Sequence, residues 1–492
     1  MANVLTVGSN RIWLIEGKAG PANEPEYISM GALGALDWPQ GDVTKFERPS
    51  DLQYNQWIEA GSFQGSPDRV TSTLTVYETV GRSTMLTLIR KKCQLDLQIH
   101  KGICTDPRDF DGYEKVWIVP GVLLSSFAST EQGALGGDGQ AASTEEVGVS
   151  GTEIIEVLRM AYTEVAQTQV GEAVKAVDVC DSVNCGDCEG STQSDGCQRV
   201  LAVTDGSVSS PGLLPQVVAT GNSFLTVVES WISTATLGNV VNDAACVGGK
   251  FVVLTGTSPA LHYADTQDIL DGTASWTKVI TGLTTEPLSI YNYSALDTFI
   301  SGDGGYIYGM INPADGVTTL DAGVAAGGVD LVIINGFDGE NVAAAGNNIV
   351  VYTRNGLSFA AMATSPAIDM TALAYRNMSE IWVGGVSNVV YYTSDYGAHW
   401  GTKSFPAAVT GVKRIVWANP SVGFILANTA AGGRVYRTIN GGYSWYLAPE
   451  NQSLSVPANS VLTDIVVCEP NKVFIGGTAS GGADGILIKG TD

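Results

Sequence analysis

Thr438-Ile439-Asn440-Gly441-Gly442-Tyr443-Ser444-Trp445 ends one strand-like run and opens the next, and looser versions of it return through the second half of the chain. The clear sites are Asp271-Gly272 with Trp276, Asp315-Gly316, Asn355-Gly356 with Phe359, Asp395 with Gly397 and Trp400, and Asn440-Gly441 with Trp445. Their first residues stand 44, 40, 40 and 45 apart. A weaker relative sits at Asn222, 49 residues before the first, and Asp492 lies 52 after the last. Each site follows a run with an aromatic near its end: Tyr263, Tyr308, Tyr352, Tyr391 with Tyr392, and Tyr436. Upstream stand β-branched stretches that end in paired glycines, such as Ile381-Trp382-Val383-Gly384-Gly385 and Val473-Phe474-Ile475-Gly476-Gly477.

A period in the low forties with several short strands per unit predicts the blades of a β-propeller. Asp or Asn before Gly suits the tight turn, because the side chain bonds nearby backbone and Gly takes φ > 0 without strain. The aromatic five residues on (four in the Asn355 unit) can fold back over the turn. Ser394-Asp395-Tyr396-Gly397-Ala398-His399-Trp400 and the Thr438–Trp445 stretch resemble the Asp-box, Ser-x-Asp-x-Gly-x-x-Trp, of sialidases and of many propellers with no sialidase activity. The resemblance implies a fold marker and no catalytic role. Units at 222, 271, 315, 355, 395, 440 and 492 give seven blades, or six if the first partial unit and the last are one. Val200–Thr204 aligns with Val473–Gly477 and Gln216–Asn222 with Ile486–Asp492, so the last blade lacks an outer strand. Residues 173–179 or 224–228 are the expected donors of that strand.

The chain of 492 residues has length for two or three domains. Only 15% of residues are charged and 59 are Gly, the profile of an all-β protein with many turns. Net charge is −24, with 13 basic and 22 acidic side chains in residues 1–170 and 13 and 28 in the remainder. Tight binding to a nucleic-acid backbone needs Lys and Arg that displace counterions, which this balance opposes. An acidic lumen would instead let DNA pass without sticking. No apolar run reaches eighteen residues, and the N-terminus lacks the layout of a signal peptide, so no membrane span and no general secretory export are expected.

Residues 1–45, rich in Gly and Pro, are expected to form an arm or long loops. From 46 to 170 the pattern is strand-like, as in Thr73–Tyr77, Gln94–Ile99 and Val116–Val119, with a helix over 81–92 and a long loop over 125–144. This order resembles the tail tube proteins of tailed bacteriophages, whose subunits join sheets into stacked rings. The pattern reads as a β-sandwich or small barrel, and the resemblance implies that it self-assembles as a homo-oligomer.

Cys180, Cys185, Cys188 and Cys197 follow in a linker over 171–197. Their spacing fits two disulfides, a zinc thiolate site or free thiols. The neighbouring Asp181, Asp187, Glu189 and Asp195 disfavour zinc, since four thiolates on Zn²⁺ already sum to −2. Cys93 and Cys104 flank a possible hairpin and can pair, whereas Cys246 and Cys468 read as plain core residues. The stretch from Asp178 to Thr204 resembles the link between an N-terminal β-domain and a propeller in large phage structural proteins. The propeller is placed over 198–492.

A sialidase site would need an arginine cluster and a paired-carboxylate set, and from Gln198 on Arg and Glu are too sparse. His100, His262 and His399 fit no metal spacing, and Gly302–Gly305 resembles a phosphate loop only by composition. The sequence thus points to a protein that is not an enzyme, with no cofactor and no metal. The expectation is a virion structural protein of the tail, made in the host cytoplasm. Other virion proteins would be its partners, DNA would pass through it unbound, and its propeller would meet host surface glycans. A glycan-binding or sialidase-like propeller and a capsid decoration protein are the alternatives.

Overall fold

The structure is a computed structural model. It describes residues 11–16, 26–36, 45–47, 57–59, 70–76, 89, 95–101, 115–130, 144–151, 155–157, 160–167, 173–181, 198–204, 216–220, 227–233 and 240–491 except 257–258, 271–272, 295, 407, 449–459 and 480–484. The chain divides near Arg159/Met160 into two units. The described residues are almost all strand.

In the first unit the pairings form a circuit. Arg11–Glu16 pairs with Glu26–Leu36, which pairs with Val70–Val76, which pairs with Thr144–Gly151. Lys115–Thr130 takes Thr144–Gly151 on one edge and Leu95–Lys101 on the other, and Leu95–Lys101 returns to Arg11–Glu16. Six antiparallel strands therefore close on themselves, which leaves no free edge among them. Leu95, Leu97, Ile99, Val116, Ile118, Val147 and Val149 are fully or almost fully buried.

The first unit departs from the sequence reading in two places. Arg11–Glu16 and Glu26–Leu36, expected as arm or loops, are strands of this circuit, because their ladders run to partners far along the chain. The strand Lys115–Thr130 also runs well into the expected 125–144 loop. Its small residues suit a crowded ladder, where a Cβ on Gly148 would meet the Ser125 and Ser126 hydroxyls. Of the helix expected over 81–92 only Ile89 is described, and it is helical.

The second unit is a β-propeller of four-stranded antiparallel sheets, seven among the described residues. Their inner strands are Val174–Asp181, Val241–Val247, Pro287–Ser294, Leu331–Gly336, Met370–Asn377, Val409–Trp417 and Val461–Glu469. Each touches the next, and the last touches the first. Both faces of every sheet meet a neighbour, so second strands such as Phe251-Val252-Val253-Leu254 are buried throughout and read as continuous apolar runs. The first glycine of each pair has the same origin. A Cβ on Gly384 would lie 2.8 Å from Val412 Cγ1, and one on Gly476 2.5 Å from Val174 Cγ1, each on the next inner strand.

Ring closure differs from the expected one. The outer strand of the last sheet is Ala161–Gln167, paired with Gly485–Thr491. Residues 174–179 belong to the inner strand of the first sheet, and 227–228 to its outer strand. The propeller thus begins near Met160, upstream of the expected 198, and part of the expected linker is strand. Tyr162 is 2% exposed and lies opposite Gly490, where a Cβ would meet its ring at 2.8 Å. Tyr162→Ala should lower the unfolding free energy by about 3–5 kcal/mol, the cost of deleting a large buried ring, measured by denaturant titration.

Candidate functional site

A cavity of about 340 Å³ runs along the propeller axis, lined by all seven inner strands. Three carboxylates and one guanidinium meet there: Asp178, Asp243, Asp464 and Arg414. Arg414 Nε donates to Asp464 Oδ1 at 2.7 Å, and its Nη2 lies 3.6 Å from Asp243 Oδ1. Arg414 belongs to the sixth inner strand, Asp464 to the seventh and Asp243 to the second, so one side chain ties strands that are not neighbours in the ring. Each carboxylate also grips backbone. Val177 N donates to Asp464 Oδ2 at 2.9 Å and Cys246 N to Asp178 Oδ2 at 2.7 Å. Ile290 N and Ser289 Oγ donate to Asp243 Oδ2 at 3.1 and 2.7 Å. Asp178 Oδ1 takes Val179 N, and Asp243 Oδ1 takes Ala244 N.

Burial pushes Asp178 up to about 7, against the lowering effect of hydrogen bonds from Cys246 and Val179 and with help from Asp464 and Asp243. Burial likewise raises Asp243, which Arg414 partly offsets. Burial alone would lower Arg414, but Asp464 and Asp243 outweigh it and hold its pKa above the usual value. All six carboxylate oxygens already accept a hydrogen bond or face Arg414. The cluster therefore braces the ring. Among the described residues no three His, Cys, Asp or Glu side chains form a metal group.

Three turns at the ends of third strands share one construction. Thr393 Oγ1 donates to Asp395 Oδ1 at 2.9 Å and accepts from Gly397 N at 2.9 Å, and Asp395 Oδ1 accepts from His399 N. Thr438, Asn440, Gly442 and Ser444 repeat this geometry. Thr353, Asn355 and Ser358 form a shorter version. The hydroxyl that matters precedes the acid or amide by two residues, so it is Thr393 and not Ser394. Gly397, Gly441 and Gly442 take φ of +82°, +67° and +83°, and Tyr396 takes +56° although it is not a glycine.

Trp400, Trp445 and Phe359 pack, half-buried, against core clusters between sheets. Trp400 Nε1 also donates to Thr364 O at 3.1 Å. Trp276 lies against the cluster between the first two sheets, while Asp271 and Gly272 are outside the described residues. Asp315 sits in a short 3-10 turn capped by Asn312 and lacks this hydroxyl–acid pair. Hydrogen bonds from His399 and Thr393 hold Asp395 below its usual pKa, although burial works the other way. His399 is exposed on Asp395, and His100 is buried beside Gln98. His262 is buried and pushed down to about 4 by burial and Lys278.

No family model matches the chain, and no curated protein matches it. Solved structures do. YCF48 bound to D1 peptide aligns with 68% of this chain and 95% of its own, at 12% identity and TM-score 0.49. YCF48 from Cyanidioschyzon merolae covers 67% of this chain and 98% of its own, at 16% identity and TM-score 0.47. A catalytically inactive virginiamycin B lyase from Staphylococcus aureus with quinupristin covers 68% and 100%, at 9% identity and TM-score 0.49. These likenesses concern the fold alone.

Cys180 lies in the inner strand of the first sheet. Cys185, Cys188, Cys197, Cys93 and Cys104 are outside the described residues. Cys246, expected as a plain core residue, is disulfide-bonded. The channel brace escaped the sequence reading altogether. Its signal was a charge inside an apolar run, as in Val177-Asp178-Val179 and Thr463-Asp464-Ile465-Val466.

A further surface stands on the hairpins that follow the third, fourth and fifth inner strands. Tyr293, Leu296, Phe337 and Met378 are exposed there, Tyr293 by 53% and Phe337 by 43%.

Removing Arg414 would leave Asp243 and Asp464 without their counter-charge, so Arg414→Met should cost about 3–5 kcal/mol in denaturant titration. Asp178 binds its proton more tightly in the fold than in the unfolded chain, where 3.8 is the ordinary value. Its stabilising contribution is complete below that value and is lost as pH rises through about 7. The melting temperature should therefore fall between about pH 4 and pH 7 and level off above that, and Asp178→Asn should flatten the fall. Thr438→Val removes a buried hydroxyl with three partners and should cost about 1–3 kcal/mol.

Proposed function

We propose that this is a non-enzymatic structural protein of a virion, resembling a phage tail tube subunit, in which a seven-bladed propeller is carried as a rigid outer module. The observation that carries the reading is the division of labour along the chain. A small strand circuit comes first, and Leu158, Arg159 and Met160 alone join its last strand, Ile155–Val157, to the outermost strand of the propeller, Ala161–Gln167. The chain thus enters the propeller at its rim, which suits a module hung on an assembling unit. The braced channel supports the absence of catalysis, because its acids and its arginine are occupied with one another and with backbone. The tight turns read as Asp-boxes serving the fold, their aromatics packed between blades and not offered as sugar platforms.

A binding role for the propeller itself is the second reading, favoured by the exposed Tyr293, Leu296, Phe337 and Met378 beside one mouth of the channel. Aromatic and aliphatic side chains grouped in this way suit a protein or glycan surface. Negative-stain electron microscopy and size-exclusion light scattering on the purified full-length chain separate the two. Rings or tubes with regular outer knobs are expected. A monomer at every concentration would overturn the tube reading and leave the binding module.

A further inference from the structure

From the strand register we infer that the disulfide partner of Cys246 is Cys180, so that a covalent staple joins the inner strands of the first and second sheets. Cys246 is 9% exposed and packs with Ala176, Leu201 and Val203 of the first sheet, so it faces that sheet. Successive residues of a strand alternate between faces. In Val174–Asp181, Ala176 packs toward the second sheet, whereas Val177 and Val179 pack with Phe474 and Leu487 of the last sheet. Position 180 shares the face of positions 176 and 178.

The stagger of the two strands is fixed by the 2.7 Å hydrogen bond from Cys246 N to Asp178 Oδ2. Two residues beyond Asp178 the chain has advanced about 7 Å. Position 180 is the next position on that face beyond Asp178, and a disulfide bridges Cα atoms about 4–7 Å apart.

Cys468 is excluded by its place in the ring. Its strand is the seventh inner strand, which packs against the first and the sixth, so the first sheet stands between it and the second. Cys93 and Cys104 belong to the other unit. One consequence concerns the cluster at Cys180, Cys185, Cys188 and Cys197. With Cys180 committed to Cys246, a four-thiolate zinc site cannot form there. A second consequence is redox sensitivity. A dithiol such as dithiothreitol would pass two electrons and two protons to the bridge, giving two thiols and its own cyclic disulfide. The seam held by Asp178 would then lose its covalent tie.

The sequence allows a direct test. Cleavage before each Asp places every cysteine of this region in its own peptide. Cys180 falls in 178–180, Cys185 in 181–186, Cys188 in 187–194, Cys197 in 195–204, Cys246 in 243–264 and Cys468 in 464–483. Full-length protein, blocked with an alkylating agent and digested without reductant, should yield peptide 178–180 joined to 243–264. Cys246 joined to any other peptide, or recovered alkylated, would overturn the assignment. Cys180→Ser should in addition expose Cys246 to maleimide in denaturant and lower the melting temperature by about 5 °C or more, whereas Cys468→Ser should leave Cys246 unlabelled. If Cys180→Ser does not fold, the peptide map of the natural chain still decides.

Discussion

A ring of sheets has to be closed, and here the closure rests on the pairing of Ala161–Gln167 with Gly485–Thr491. Strands from distant parts of the chain meet in one sheet, so the ring cannot open at that seam without breaking a full ladder. Every other seam is held by continuous chain within each sheet and by side chains between sheets. The apolar clusters between neighbouring sheets depend on this closure, because an open ring would leave two faces in water. Tyr162, Phe474 and Leu487 would be among the first exposed.

Packing alone does not set the ring's geometry. The inner strands offer little apolar surface toward the axis, and the chain fills that space with Arg414 and three aspartates. Such a cluster is costly to bury and contributes stability only while every charge is matched. The match is close: backbone N–H groups of neighbouring sheets meet the carboxylates, and Arg414 reaches across to Asp243. The same bonds fix how far each inner strand is staggered against the next, which is a matter of specificity more than of strength. The raised pKa values of Asp178 and Asp243 mark where the balance is strained.

The propeller was legible in the sequence because its period and its turns are local. Asn440, Gly441 and Trp445 lie within a few residues of one another, and each has a backbone reason to be there. The paired glycines were visible too, although their cause, the close approach of the next inner strand to the first of each pair and of the sheet's own inner strand to the second, needed the fold. What the sequence hid was long-range. Ala161–Gln167 reads as an ordinary strand, and nothing near it says that its partner lies at the other end of the chain. Asp178 and Asp464 are 286 residues apart, and single charges in apolar runs carry no label of their common destination. Thr393 was passed over for Ser394 because both carry a hydroxyl, and only the turn geometry distinguishes them.

A propeller entered at its rim, braced along its axis and capped by half-buried aromatics is a rigid body suited to being carried or to being bound. That account depends on the ring being closed as described. Hydrogen–deuterium exchange over residues 485–491 tests it most directly. Flanked by ladders on both sides, consecutive amides from Ile486 to Gly490 should be protected as long as those of Val473–Ile475. Fast exchange at alternate positions of 486–490 would mean an unpaired edge there, and would contradict the closure.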